Sequence, residues 1–188
     1  MPNWCFSDIT IISNDQTKIK KLYDSICEWT ETNFIENDFG PSWLGNIVAR
    51  SEICAIDDVP CRGTLTEINL YNGIINIRTE TAWEPMLKMW SMLIDKYLPN
   101  GNIIYTAEEC GNGLYCTNDP SLIGKYYIDS IDIDEVESRY DATEDDVIKT
   151  LQSLLNSESK NINDLLNELR NSIYQDKLFI NKWENDEI

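Results

Sequence analysis

The pair Asn72-Gly73 constrains this chain more than any other feature of its sequence. Asn-Gly is the preferred pair for a two-residue type I′ turn, because both central positions need φ > 0. Setting Tyr71 opposite Ile74 fixes the register, and the flanking side chains agree with it. Leu70 then faces Ile75 and Ile68 faces Ile77 on one side of the ribbon. Asn69 faces Asn76 and Glu67 faces Arg78 on the other, the last an opposite-charge cross-strand pair. One apolar side and one wet side describe antiparallel strands covered on a single face. The strands are expected over about 62–71 and 74–81.

The flanks of the hairpin are read by period. Residues 4 to 12 alternate, with Cys5, Ser7, Ile9 and Ile11 on one face and Trp4 and Phe6 opposite, which is a strand. From Asn14 or Asp15, either of which suits an N-cap, the period turns helical. Ile19, Leu22, Tyr23, Ile26 and Thr30 form the stripe, fading by Phe34. A short helix is expected over Ser42 to Arg50. Pro85 fits the first turn of a second long helix, whose stripe is Met86, Leu87, Trp90, Leu93, Ile94 and Tyr97. Pro99-Asn100-Gly101 ends it, and Asn102 to Glu108 is a further strand.

The order β-α-β-β-α-β predicts an α+β chain. It is the split βαβ pattern of a ferredoxin-like antiparallel sheet with its helices on one face. Extra strands over 114–117 and 125–131, joined through Asn118-Asp119-Pro120, are expected to widen that sheet. Thr143 and Asp146 resemble a capping box for a helix bearing Val147, Ile148, Leu151, Leu154 and Leu155. Ile162, Leu165, Leu166, Leu169 and Ile173 stripe a second helix, and a last strand runs near Leu178 to Trp183. The division expected is a ferredoxin-like domain over 1–130, with an acidic helical extension over 131–188 packed on it.

Several short segments form a recognisable set: Met1-Pro2-Asn3-Trp4-Cys5, Trp43-Leu44-Gly45-Asn46, Cys61-Arg62-Gly63, Thr79-Glu80-Thr81-Ala82-Trp83, and Ala107-Glu108-Glu109 through Gly113. Together they resemble the YubB-like ferredoxin-like family of plasmid, phage and mobile-element proteins, over roughly residues 1 to 130. The resemblance implies the fold already derived from pattern and a mobile-element origin. It implies no particular chemistry.

Charge bounds the function. The 188 residues carry 33 Asp and Glu against 15 Lys and Arg, a formal net charge of −18. Such a surface argues against direct binding to nucleic acid or to anionic membranes, both of which attract clustered cations. No apolar run approaches the length of about 18 residues needed to span a bilayer. The N-terminus lacks a basic region followed by an apolar one, so no secretory signal is expected, and the expected location is cytoplasmic. There is no histidine, which excludes Ser-His-Asp and Cys-His mechanisms and mixed Cys/His zinc sites. The six cysteines show no C-x-x-C pair and are expected to be reduced.

Two groups of candidate residues follow. Residues 129 to 146 carry nine acids, Asp129, Asp132, Asp134, Glu135, Glu137, Asp141, Glu144, Asp145 and Asp146, against one arginine. Such a block is a solvated stretch or an interaction surface. As a surface it suits a protein partner with a basic groove, its carboxylates standing in for phosphates. The second group is Glu80, Glu108 and Glu109 with Arg62, Trp43 and Trp83. Glu80 and Glu108 close two strands whose ends are expected to approach, as a ligand cleft or an acid-base pair. Arg62 is expected either to pair with one of them or to clamp a ligand anion. Gly111-Asn112-Gly113 lacks the following helix, Lys and Ser/Thr of a phosphate loop and reads as a turn. No catalytic residue, cofactor or metal is assigned. The leading expectation is a binding module, here an anti-CRISPR or anti-restriction type of inhibitor. The alternative is a metal- or ligand-binding enzyme-like domain whose clustered carboxylates Glu80 and Glu108, with Arg62, would hold Mg²⁺, Mn²⁺ or a ligand.

Overall fold

A computed structural model describes residues 3–111 and 113–186. Met1 and Pro2 of the N-terminal segment and Asn112 of the Gly-Asn-Gly turn lie outside the described residues. The chain is of the α+β class and forms two compact units. The first runs to Asn118 and takes in Asp186; the second is Asp119–Asn185. The division therefore falls at Asn118, earlier than the 130 expected, because the strand after it pairs with partners later in the chain.

In the first unit, β1 (Trp4–Ile12), α1 (Gln16–Trp29), α2 (Leu44–Ser51), β2 (Gly63–Tyr71), β3 (Ile74–Ala82), α3 (Leu87–Tyr97), β4 (Asn102–Glu109) and β5 (Leu114–Thr117) follow in order. The strands lie side by side as β2-β3-β1-β4-β5, each neighbouring pair antiparallel. The hairpin register is the one the turn dictates: Tyr71 opposite Ile74, Ile68 opposite Ile77, Glu67 opposite Arg78. Asn72 and Gly73 both have positive φ. Beyond Glu67 a bulge shifts β2 by one residue, so Leu65 opposes Thr79. The alternation alone does not reveal it.

One face of this sheet is buried. Cys5, Ile9 and Ile11 of β1, Ile75 and Ile77 of β3, and Ile103, Tyr105 and Ala107 of β4 share one apolar core with all three helices. Asp15 caps α1 by accepting the Lys18 N–H at 3.0 Å. The helix stops at Trp29, short of Phe34. Pro85 lies outside α3, whose N-cap is Met86. Tyr105 donates its hydroxyl to the Asp186 carboxylate at 2.9 Å, while the Asp186 N–H donates to the Thr117 carbonyl at 3.1 Å. Burial, then the bond to Asp186, pushes the Tyr105 phenol well above its usual range.

The second unit has its own sheet, ordered β7-β6-β8, from β6 (Tyr126–Ser130), β7 (Arg139–Ala142) and β8 (Leu178–Lys182). Here the structure corrects the sequence reading. β5 widens the first sheet as expected, but β6 does not join it: Tyr126 to Ser130 pair one for one with Lys182 to Leu178. Tyr126, Ile128, Leu178 and Ala142 share a core with Val147, Leu151, Leu165 and Leu169 of α4 (Glu144–Leu155) and α5 (Ile162–Arg170). The capping box is complete, Thr143 Oγ accepting the Asp146 N–H and Asp146 accepting the Thr143 N–H. Ile173 lies beyond α5 and is 83% exposed, so it does not extend the stripe.

Candidate functional site

The outward face of the first sheet carries the second group of candidates, and its register decides what they can do. Phe6 opposes Glu80 on one side and Glu108 on the other. The strand ends do approach, but β1 runs between them, and two inter-strand spacings put the Glu80 and Glu108 backbones roughly 10 Å apart with Phe6 in the row. Glu109 points the other way: it is 1% exposed and accepts the Gly111 N–H at 2.8 Å. It is an internal anchor of the β4–β5 turn rather than part of a cleft with Glu108. Among the described residues no three Cys, Asp or Glu side chains converge as a metal site.

Arg62 is exposed, and among the described residues it joins no ion pair; the expected bridge to Glu80 or Glu108 is not made. The ion pairs on this face belong to Arg78, held by Asp8 at 2.7 Å and Glu67 at 3.0 Å. Those groups, with Thr10, Asn69, Asn76 and the apolar Ile9, Leu70 and Ile77 among others, line an open hollow of about 500 Å³.

Most of the segments that form the recognisable set have structural work. Trp43 is half-buried, stacks on Phe39 with centroids 6.0 Å apart, and lies over Gly45, where a Cβ would come within 2.5 Å of its ring. Asn46 is fully buried and ties down the loop before α2. It accepts from the Phe34 and Ile35 N–H groups at 3.3 and 3.2 Å and donates to the Gly40 and Pro41 carbonyls at 3.3 and 3.0 Å. Gly63 lets β2 and β3 close, since a Cβ there would sit 2.4 Å from the Glu80 carbonyl oxygen. Trp43 is thus a packing residue.

Trp83 behaves differently. It is 45% exposed and its φ is 75°, a left-handed conformation that a bulky L-residue adopts only at a cost of about 1–3 kcal/mol. Its N–H donates to the Asn3 carbonyl at 2.9 Å. Beside it Trp4 and Phe6 are exposed on the same outward face. The sequence placed those two rings on that face without assigning them a role. The signal was there: large aromatics on the side of β1 that ought to be wet.

None of the six cysteines is in a disulfide. Burial, the largest cause, pushes the Cys5 thiol up to about 11 and raises that of Cys61, which makes both poor nucleophiles.

The acidic candidates lie in the second unit. Asp132, Asp134, Glu135, Glu137, Asp141, Glu144 and Asp145 are exposed, while Asp129 and Asp146 are half-buried. Asp129 accepts the Ser138 hydroxyl at 3.4 Å. Arg139 reaches Asp141 at 3.2 Å and Asp146 at 3.8 Å. Glu144, Asp145 and Asp146 occupy the first turn of α4, where the helix dipole favours negative charge. Hydrogen bonds from Thr143 hold the Asp146 carboxyl below its usual range. The stretch, expected to be a solvated approach to the following helix or an interaction surface, also includes β7, and its Tyr140 stacks on Tyr127 at 4.5 Å and 3°. The Trp183 indole N–H donates to the Tyr140 carbonyl at 2.8 Å.

Compared with known proteins, the chain matches no family model and no curated sequence. Among the described residues no helix is long and apolar enough to cross a membrane.

Proposed function

We propose that this chain is a protein-binding module for a partner with a basic surface, in which the exposed carboxylates of residues 129–146 stand in for nucleic-acid phosphates. The observation that carries this is the seven exposed acids in that stretch with Arg139 as their sole cation, spent on Asp141 and Asp146. Carboxylates mounted on a strand, a turn and a helix start present a fixed negative field, which speeds and orients docking to a basic groove. The first unit is read as a ferredoxin-like domain of the YubB-like type, supported by the order β2-β3-β1-β4 with antiparallel neighbours throughout. On that resemblance the partner is a host nucleic-acid-handling or defence protein, and the activity is inhibition of the anti-CRISPR or anti-restriction type, without direct nucleic-acid binding.

The test neutralises Asp132, Asp134, Glu135, Glu137 and Asp141 to Asn or Gln, sparing the three acids at the α4 N-terminus that support the fold. Partners released from the wild-type chain by a salt step of about 0.5 M, where exposed charge contacts are screened, are identified by mass spectrometry and titrated against both forms. The neutralised form is expected to bind at least about tenfold more weakly, with a shallower salt dependence. Equal affinity at low and moderate salt would sink the proposal.

A further inference from the structure

Three exposed rings gather at one corner of the first sheet: Trp4 at 43%, Phe6 at 47% and Trp83 at 45% exposed. Trp4 opposes Ala82, and the Trp83 N–H is bonded to the Asn3 carbonyl, so the rings rise from adjoining backbone. Single exposed aromatics are ordinary; three rising from adjoining backbone point to an interaction surface. The left-handed backbone of Trp83 points the same way, since strain of that kind persists where it presents a side chain for use.

Glu108, across Phe6 on the β4 side, is already engaged within the chain. Two further charges on the β2–β3 side of this corner say what the surface fits. Arg62 lies across from Ala82, whose N–H donates to the Arg62 carbonyl at 2.9 Å. It alternates with buried Cys61 and Gly63, as Glu80 alternates with buried Thr79 and Thr81, so both stand on the outward side. They are diagonal neighbours, about 7–8 Å apart along the backbone lattice, yet neither forms an ion pair among the described residues. A basic segment laid here would meet Arg62, and an anionic one would meet Glu80. A surface that carries both around an apolar centre is complementary to itself. In a two-fold interface every contact is made twice with the roles exchanged, so one Arg62 and one Glu80 per chain supply two intermolecular pairs.

We propose that this corner is a self-association surface, on which a second copy of the chain docks about a two-fold axis, its rings packed together and Arg62 of each copy set against Glu80 of the other. A chain with net charge −18 repels its copy over most of its surface, so contact is favoured where rings outnumber carboxylates, as they do at this corner. Three nine-residue strands and the eight-residue β4 give a face about 30 Å long and about 15 Å across. That is enough to supply much of the roughly 800 Å² per partner of a standard interface. The inference is independent of the basic-partner proposal, because its test contains no partner.

The test is sedimentation equilibrium of the full chain over micromolar to submillimolar concentration. The wild type is expected to form a dimer that strengthens as salt rises from about 0.05 to 0.5 M, because screening relieves the repulsion between like-charged copies. That is the opposite sign to the binding of a basic partner. Arg62→Glu is expected to weaken the dimer at least about tenfold, and adding Glu80→Arg to restore it to within about threefold, as coupling between contacting residues requires. Phe6→Ser, at an exposed position, is expected to abolish it, with circular dichroism showing that each variant remains folded. A wild type monomeric at every concentration and salt would overturn the proposal. So would a dimer indifferent to Arg62→Glu and Phe6→Ser, or a folded double variant that fails to recover.

Discussion

The two units handle charge and backbone in opposite ways. In the first, the charges midway along the outward sheet face are matched, Arg78 lying between Asp8 and Glu67, with Arg62 and Glu80 at its corner the exceptions. Its irregular segments are pinned by buried groups such as Asn46 and Glu109. In the second, acids crowd into a stretch with a single arginine, and most project into water. A buried amide or carboxylate must find partners, because burying it unsatisfied costs on the order of 1–3 kcal/mol; an exposed carboxylate owes nothing to the fold. Side chains of the first kind are therefore explained by structure, and those of the second kind are left for function.

That contrast can be broken by substitution. The largest effect is expected from Leu151→Ala in the second core, where the residue is fully buried. A loss of about 2–5 kcal/mol, read by denaturant titration, should come with faster amide exchange over 126–182. Asn46→Ala removes four hydrogen bonds in the first unit and should cost about 2–4 kcal/mol. A change under about 0.5 kcal/mol would mean the loop before α2 does not depend on it. Thr143→Ala removes the α4 cap and is expected to cost about 1 kcal/mol, with a pH signature. The Asp146 carboxyl sits below its unfolded value, so its contribution is present above the ordinary carboxylate pKa and is lost as pH falls through the lowered one. The wild type should lose that increment on acidification, and Thr143→Ala, lacking the hydroxyl that causes the shift, should lose less. Smallest is Arg78→Ala, whose ion pairs are solvent-exposed and screened; its denaturation midpoint is expected to stay within error of the wild type at moderate salt.

What was legible in the sequence follows from how local the cause is. The Asn72-Gly73 turn, the alternation of 4–12 and the Thr143–Asp146 box each act within a few residues, and each appears where the sequence puts it. The pairing of β6 with β8 links residues about fifty apart, and nothing near Tyr126 distinguishes joining one sheet from joining another. The bulge after Leu65 was hidden for a related reason, since a one-residue shift leaves the composition of the strand unchanged. At the candidate site, Glu80 and Glu108 lie near the ends of two strands on the same side of the sheet, separated by one strand. That β1 would intervene with Phe6 depends on strand order, which is a property of the whole sheet.

The clasp between Tyr105 and Asp186 has a consequence in time. Its partners are 81 residues apart, and all of Asp119–Asn185 lies between them. During synthesis β4 emerges long before the residue that satisfies its buried phenol. The first unit, earlier in sequence, is therefore completed only after every residue of the second has been made, and contacts of such long separation are the slow ones to form.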